Sequence, residues 1–363
     1  MKNKLTNDLS LLEEMIKDQN SKYKVDPFWK NYEYSNVTKI KHFDLKKLLQ
    51  FSNSFGAISS KRYTILGTYF IRLYFGILIK IKKYLKIDLA FPKIFKTLNF
   101  FNYTIDDHKL TRASYSAFIF KLIDSFPNSD QLLNIKDDLV WNPIDTFELM
   151  DKKYSFNFIK YFYEFLMANN FANFKKSDFF LEIGGGYGGF TEIVKKMCPN
   201  IKIIYMDIPP QLYVAQQYLK SIFYKKVAGF KETKEMEFIT QDSFLDYDIL
   251  IVPPWDIKKI QNDLIDNFYN ANSFQEMQKN TVSNYCKQLG RIVKSKIVLH
   301  EQREGNGAIV DPVTRIDYID YMKLNGFNLV EEKLGSYGGH LRSDPSAPFS
   351  HTDLYFFEKQ INS

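Results

Sequence analysis

The sequence predicts an α/β fold: a Rossmann-like doubly wound sheet over residues 151–363, preceded by a mainly helical N-terminal domain over residues 1–150. Three observations predict it. From about residue 176, short apolar runs alternate with helical stretches, the pattern of βαβ units around a parallel sheet. A glycine run, Gly184-Gly185-Gly186-Tyr187-Gly188-Gly189, directly follows the first of those apolar runs. Upstream, residues 1 to about 150 carry few glycine-rich turns and much 3.6-residue apolar spacing, as at Leu45, Leu48, Leu49 and Phe51.

In chain order, Tyr63–Ile81 is long and apolar enough to raise the question of a membrane span. Arg72 lies at its middle and Lys80 near its end. A charge at the bilayer centre costs roughly 3 kcal/mol on insertion scales. A buried helix is therefore the expectation and no transmembrane span is assigned; peripheral contact of such a helix with an anionic membrane surface is the alternative. Trp141-Asn142-Pro143 ends the helical pattern, because the residue before a proline is pushed out of helical geometry. A helix from Tyr154 to Asn169 then leads into the sheet.

Phe179–Ile183 is the first strand and Phe190–Cys198 the first helix, stopped by Pro199. Ile201–Met206 is the second strand, ending at Asp207. Pro209 and Pro210 suit the opening turn of the next helix, which runs to Phe223. Ile249–Val252 is strand three and Ile265–Ala271 strand four. Met277–Leu289 is a helix closed by Gly290, and Arg291–Leu299 is strand five. Asn328–Lys333 and Leu354–Glu358 form a final antiparallel pair. Glu237–Thr240 is expected as an extra or edge piece.

Composition narrows the function classes. A net charge of +7 over 363 residues does not mark a nucleic-acid binder and suits an anionic small substrate. The aromatic content of 17%, with 33 Phe and 24 Tyr, reads as core packing rather than a base-stacking surface. Two cysteines, Cys198 and Cys286, give no disulfide framework and fit a reducing cytoplasm. Met1–Asn20 has no uninterrupted apolar stretch of the kind a signal peptide carries. Nothing in the sequence fixes an oligomeric state.

The glycine run carries the chemistry. Glycines after a buried strand let the backbone approach a ligand closely and take up positive φ. Gly184, Gly186 and Gly189 satisfy G-x-G-x-x-G, which suggests NAD or FAD. Glu182, Gly184, Gly186 and Gly188 satisfy the acidic-x-G-x-G-x-G of class I methyltransferases. Glu182 decides between them: a carboxylate there accepts from the ammonium of S-adenosylmethionine (SAM) but faces an anionic pyrophosphate badly. Tyr187 belongs to the same loop. Asp207, with Ile208 beside it, hydrogen-bonds ribose hydroxyls under either reading.

In a doubly wound sheet, ligands bind beyond the carboxyl ends of the strands. Pro253-Pro254-Trp255-Asp256 follows strand three, where Trp255 either stacks on adenine or caps the core. Asn272, Ser273, Gln275 and Glu276 follow strand four, and His300 and Glu301 follow strand five. Glu276 and His300 are the candidate bases for a hydroxyl acceptor. Equally, Glu276 reads as a first-turn helix residue and His300 as a bystander. His340 lies in the Tyr337–Arg342 stretch, which is either a lid over the substrate or a solvated connection. No tight carboxylate cluster calls for a divalent metal, although a magnesium ion that acidifies the hydroxyl stays open. Asp266 reads as structural, and Arg291, Lys294 and Lys296 as solvated.

The stretches Leu181–Phe190 (LEIGGGYGGF), Tyr205–Leu219 (YMDIPPQLYVAQQYL) and Asn270–Met277 (NANSFQEM), with Phe28–Asn36 (FWKNYEYSN), resemble a bacterial sugar O-methyltransferase family. Ser273–Met277 is the most specific of these, and the likeness spans most of the chain. The resemblance implies a class I methyltransferase fold, SAM as cofactor, and the hydroxyl of a sugar, nucleotide sugar or glycan intermediate as acceptor, as in surface-polysaccharide assembly. The competing readings are a SAM-binding or helical interaction module without turnover, a methyltransferase of another small molecule, and a nicotinamide oxidoreductase, which Glu182 disfavours.

Overall fold

A computed structural model describes residues 8–22, 27–42, 129–140, 143, 146–149, 151–305, 309–337 and 352–360. The Tyr63–Ile81 segment and His340 lie outside them. Among the described residues no helix is long and apolar enough to cross a membrane.

The elements are α1 (Leu9–Lys22), α2 (Pro27–His42), β1 (Thr146–Leu149), β2 (Lys152–Ser155), α3 (Phe156–Ala172), β3 (Phe179–Ile183), α4 (Gly189–Met197), β4 (Lys202–Met206), α5 (Pro209–Phe223), β5 (Val227–Ala228), α6 (Phe230–Lys234), β6 (Ile249–Val252), β7 (Ile265–Ala271), α7 (Lys279–Ile292), β8 (Val293–Gln302), α8 (Arg315–Leu324), β9 (Phe327–Tyr337) and β10 (Thr352–Lys359). β1 and β2 form a separate antiparallel hairpin. The other eight strands form one sheet in the order β5-β6-β4-β3-β7-β8-β10-β9. Strands β3 to β8 are mutually parallel, and β10 is antiparallel to both β8 and β9. The doubly wound sheet and its closing antiparallel pair are as expected.

Both faces of the sheet are covered, so its strands read as unbroken apolar runs. Phe180, Ile203, Tyr205, Tyr269, Val298 and Phe356 enter one core with α3, α4 and α5. Leu181, Ile204, Met206, Phe268, Ile297 and Leu299 enter the other with α7 and α8. Leu12 and Met15 of α1 and Ile40 of α2 join the first core, so both N-terminal helices dock on the α5 side.

Helix ends follow their sequence signals. The Ser155 hydroxyl accepts from the Phe158 N–H at 3.2 Å and starts α3. Pro209 and Pro210 occupy the first turn of α5, and Thr314 and Asp317 form a capping box on α8. Three expectations are corrected. The edge strand is Val227–Ala228; in Glu237–Thr240 only Ile239 makes a bridge, to Ile260. Gly290 does not close α7, which runs through it to Ile292, because apolar Ile292 is wholly buried and holds the last turn against the second core. Arg291 and Lys296 are pinned rather than solvated: Arg291 donates to the Ile257 carbonyl at 3.2 Å and Lys296 to the Phe171 carbonyl at 2.8 Å. Lys294 is solvated, as expected, and pairs with Asp266 at 3.0 Å at the surface. Asp266 is structural, as expected, and also accepts from the Asp178 and Phe179 N–H groups, each at 2.8 Å.

Candidate functional site

Strand order reverses beside β3, whose neighbours are β4 on one side and β7 on the other. That switch point opens a crevice at the carboxyl ends of β3 and β7. The glycine run leaves β3 there. Gly184, Gly186 and Gly188 take positive φ, at 73°, 64° and 92°, a region open to glycine and strained for other residues. A Cβ on Gly184 would stand 2.1 Å from Ser273 Oγ, so the loop after β3 and the turn after β7 are in contact. Gly185, which neither fingerprint singles out, is equally constrained: a Cβ there would lie 2.5 Å from the Tyr205 ring and 2.6 Å from the Glu182 carboxyl carbon.

Glu182 is thus tucked under the loop it precedes. It is buried, and the Thr191 hydroxyl on α4 donates to it. Burial pushes its carboxyl up to about 8; the Thr191 bond opposes this, and the charges of Asp207 and Glu164 reinforce it. Asp207 sits at the end of β4. It accepts from the Gly186 N–H (2.9 Å) and the Tyr205 hydroxyl (3.2 Å) on one oxygen and from the Ile208 N–H (2.8 Å) on the other. An ionised carboxylate offers about four lone-pair sites, so one stays available to a ribose hydroxyl. Burial raises Asp207 to about 7. Tyr187 turns away from the crevice, edge-on to the rings of Tyr161 and Tyr218. The Trp255 indole N–H donates to Asp18 of α1 at 2.8 Å, and the ring packs against the first core.

The turn after β7 is held by Glu301, a residue the sequence placed at a strand end without a role. Its carboxylate accepts from the N–H groups of Ser273 (3.2 Å), Phe274 (3.3 Å) and Gln275 (3.0 Å). The Gln275 side chain in turn accepts from the Gln302 N–H at 2.7 Å. Asn272 enters the turn at φ 52°, its N–H donating to the His300 carbonyl at 2.9 Å. Asn270 braces both loops, donating to the Ile183 carbonyl at 2.6 Å and accepting from the Phe274 N–H at 3.1 Å. Glu276 closes the turn half-buried. Burial lifts its carboxyl to about 7, and the Asp207 charge adds to that.

His300 and Glu301 point to opposite faces of β8. Glu301 shares the second core's face with Ile297 and Leu299; His300 shares the first core's face with Val298. His300 is wholly buried, and burial, aided by Lys160, pushes its pKa down to about 3. A group so weakly basic takes up a proton poorly at neutral pH. The structure therefore gathers Glu182, Gly184, Gly186, Asp207, Ile208, Asn272, Ser273, Gln275 and Glu276 around one crevice, and packs Tyr187, Trp255 and His300 into its walls. Thr191, Tyr205, Glu301 and Asn270 support that crevice, and single-residue patterns give no signal for them. Among the described residues no group of three or more His, Cys, Asp or Glu stands close enough to hold a metal ion.

No protein-family model and no curated protein matches the chain. Among solved structures it is similar to the mitomycin 7-O-methyltransferase MmcR (11% identity, 66% of this chain and 60% of that one, TM-score 0.38). It is also similar to the magnesium protoporphyrin IX methyltransferase ChlM of Synechocystis PCC 6803 with bound S-adenosylhomocysteine (SAH) (10% identity, 56% and 82%, TM-score 0.37). PigF, solved with SAH, is a third (13% identity, 55% and 54%, TM-score 0.35). The chain thus spans 60% of the length of the mitomycin enzyme. At this depth these likenesses carry no weight for activity, which is argued from the site's own geometry.

Proposed function

We propose that this protein is a class I SAM-dependent methyltransferase whose acceptor is a hydroxyl group. The observation that carries the reading is the contact between Gly184 and Ser273. It joins a glycine loop backed by two buried acids, Glu182 and Asp207, to a turn that carries a carboxylate poised near neutrality, Glu276. SAM brings an ammonium and a sulfonium, and such a cation is drawn to an acid-lined crevice that repels a dinucleotide's pyrophosphate. Asp207 takes the ribose hydroxyls and the loop amides surround the methionine end. The methyl group then faces the Ser273–Glu276 turn. Transfer is an in-line displacement at the methyl carbon, so the protein's task is to hold acceptor oxygen and methyl together and exclude water.

A hydroxyl is a poor nucleophile until its proton has somewhere to go. Glu276, raised to about 7, serves as that base, with Ser273, Gln275 and Asn272 orienting the acceptor. His300 is too weakly basic for the task. The sugar identity of the acceptor rests on the resemblance of the Ser273–Met277 stretch, and a cytoplasmic setting on two buried unpaired cysteines. The described N-terminal helices α1 and α2 form a wall of the pocket, in keeping with their docking on the α5 side.

Calorimetry with SAH and with NAD tests the cofactor: SAH binds and NAD does not, whereas tight NAD binding alone would overturn the reading. Incubation with methyl-labelled SAM and a panel of nucleotide sugars tests the acceptor. Label transferred to a nitrogen or carbon acceptor, with none on hydroxyls, would refute the O-methyl assignment. SAH binding without turnover on any acceptor is the outcome that favours a SAM-binding module.

A further inference from the structure

One face of the sheet beside the glycine loop carries a second polar cluster. Glu182 of β3 and Tyr269 of β7 are register partners, and both turn towards α3, as does His300 two residues beyond Val298, the register partner of Tyr269. Over them α3 lays Lys160, Tyr161 and Glu164. The Tyr161 ring presses against the glycine loop: a Cβ on Gly189 would stand 2.4 Å from it. Lys160 Nζ stands 4.5 Å from the centroid of that ring. Glu164, 2% exposed, is the one acid within 4 Å of Lys160 among the described residues, at 3.7 Å. One Glu164 oxygen and the Tyr269 hydroxyl, on a residue 1% exposed, have no hydrogen-bond partner.

As a purely structural pair this is poor design. Lys160 is largely desolvated with its ammonium donors loosely met, and buried ion pairs stabilise only when their remaining donors are satisfied. A buried hydroxyl without a partner also costs stability. The Lys160 and Tyr269 deficits are donors, and an incoming carboxylate satisfies them together; the unpaired Glu164 oxygen is the one that faces Lys160 at 3.7 Å. Glu182 stands on the next strand, so the same face offers an acid beside a cation and a hydroxyl, the complement of an ammonium next to a carboxylate.

We propose that Lys160 and Tyr269 form a carboxylate-binding subsite at the end of the glycine loop, with Glu164 positioning the lysine. The inference rests on the cofactor reading above. The carboxylate has two sources: the amino-acid end of SAM, or an acidic acceptor such as a uronic acid.

Binding to the intact chain separates them. SAH carries the amino-acid end, and 5′-methylthioadenosine is the same nucleoside thioether without it. Lys160→Met is expected to weaken SAH by about tenfold or more while leaving methylthioadenosine unchanged, since hydrogen bonds to charged groups are the strong ones. Tyr269→Phe should weaken SAH several-fold, and Lys160→Arg should restore most of the affinity. If SAH is unaffected but glucuronate binding, measured with SAH present, falls by the same factor, the carboxylate is the acceptor's. If neither ligand responds to Lys160→Met, with Lys160→Gln as second variant should the first not fold, the subsite does not exist. Failure of the wild type to bind either adenosine ligand would instead sink the cofactor reading, while the glucuronate measurement still judges the subsite.

Discussion

The acids behind the glycine loop make cofactor binding depend on pH in a calculable way. In the ligand-free protein burial holds Glu182 at about 8 and Asp207 at about 7. At pH 7 the first is mostly protonated and the second half so. A cationic ligand favours the ionised forms, so protons leave as it binds and affinity climbs with pH. About one Glu182 in a hundred is ionised at pH 6 and about one in eleven at pH 7, an interval in which the ammonium of SAM keeps its proton, so this residue alone tightens SAM binding about ninefold across it. Asp207 adds about fivefold. Glu182→Gln keeps the shape and the Thr191 contact but removes the titration, and should leave only the fivefold rise. Calorimetry in two buffers of different ionisation enthalpy reads the same quantity directly: about 1.4 protons released per SAM by the wild type at pH 7, about 0.5 by the variant. A wild-type affinity that is flat from pH 6 to 7, or a variant that keeps the whole wild-type rise, would refute the reasoning.

Three further outcomes follow from the same geometry. Gly184→Ala forces a side chain onto Ser273 at a φ of 73° and should abolish SAH binding measured by calorimetry, whereas retained affinity would mean the loop and turn do not meet. Glu276→Gln should cut turnover by about 10²–10⁴-fold with SAH affinity unchanged; the wild-type rate should rise with pH to a plateau above about 7, where Glu276 is ionised, and a variant that keeps full turnover would strip Glu276 of the base role. Glu182, Asp207, Glu276 and Glu301 are all raised on folding, so the stability they permit is full below the ordinary carboxylate range and is lost as pH rises through about 7 to 8. The Tm of the ligand-free protein should therefore fall between pH 5 and 8.5, and an unchanged Tm would contradict the burial of these groups.

Much of this was legible in the sequence because parallel strands buried on both faces leave a strong mark. Phe179–Ile183, Ile201–Met206 and Ile249–Val252 are apolar runs too short for helices, and the observed strands differ from them by at most a residue. The edge strand leaves no periodic signal in the sequence, because Val227–Ala228 is two residues long and pairs on one side only. Glu237–Thr240 drew attention by composition, yet its backbone mostly turns. Gly290 misled for a related reason: a C-terminal glycine stops a helix only where the next residues have nowhere to pack, and Ile292 has a core to enter.

Within the site, sequence motifs located the crevice but not the side of the sheet on which each group acts. Alternation along β8 decides that. Val298 and His300 face α3 while Ile297, Leu299 and Glu301 face α7, so adjacent residues serve different ends of the reaction. On the α3 face stand Glu182 and Tyr269, with Lys160 of α3 beside them, the groups proposed above to hold a carboxylate and an ammonium. On the α7 face Glu301 gathers three N–H groups of the acceptor turn. The two halves meet at the sheet's carboxyl edge, where Ser273 fills the space that a side chain on Gly184 would need and Asn270 bonds both loops. If the proposed function holds, a site built this way would set the distance between methyl donor and acceptor by the contact of two loops, each anchored to a different core. Under the proposed function, the glycine at 184 and the carboxylate at 301 would act on the displacement through the placement of these two loops.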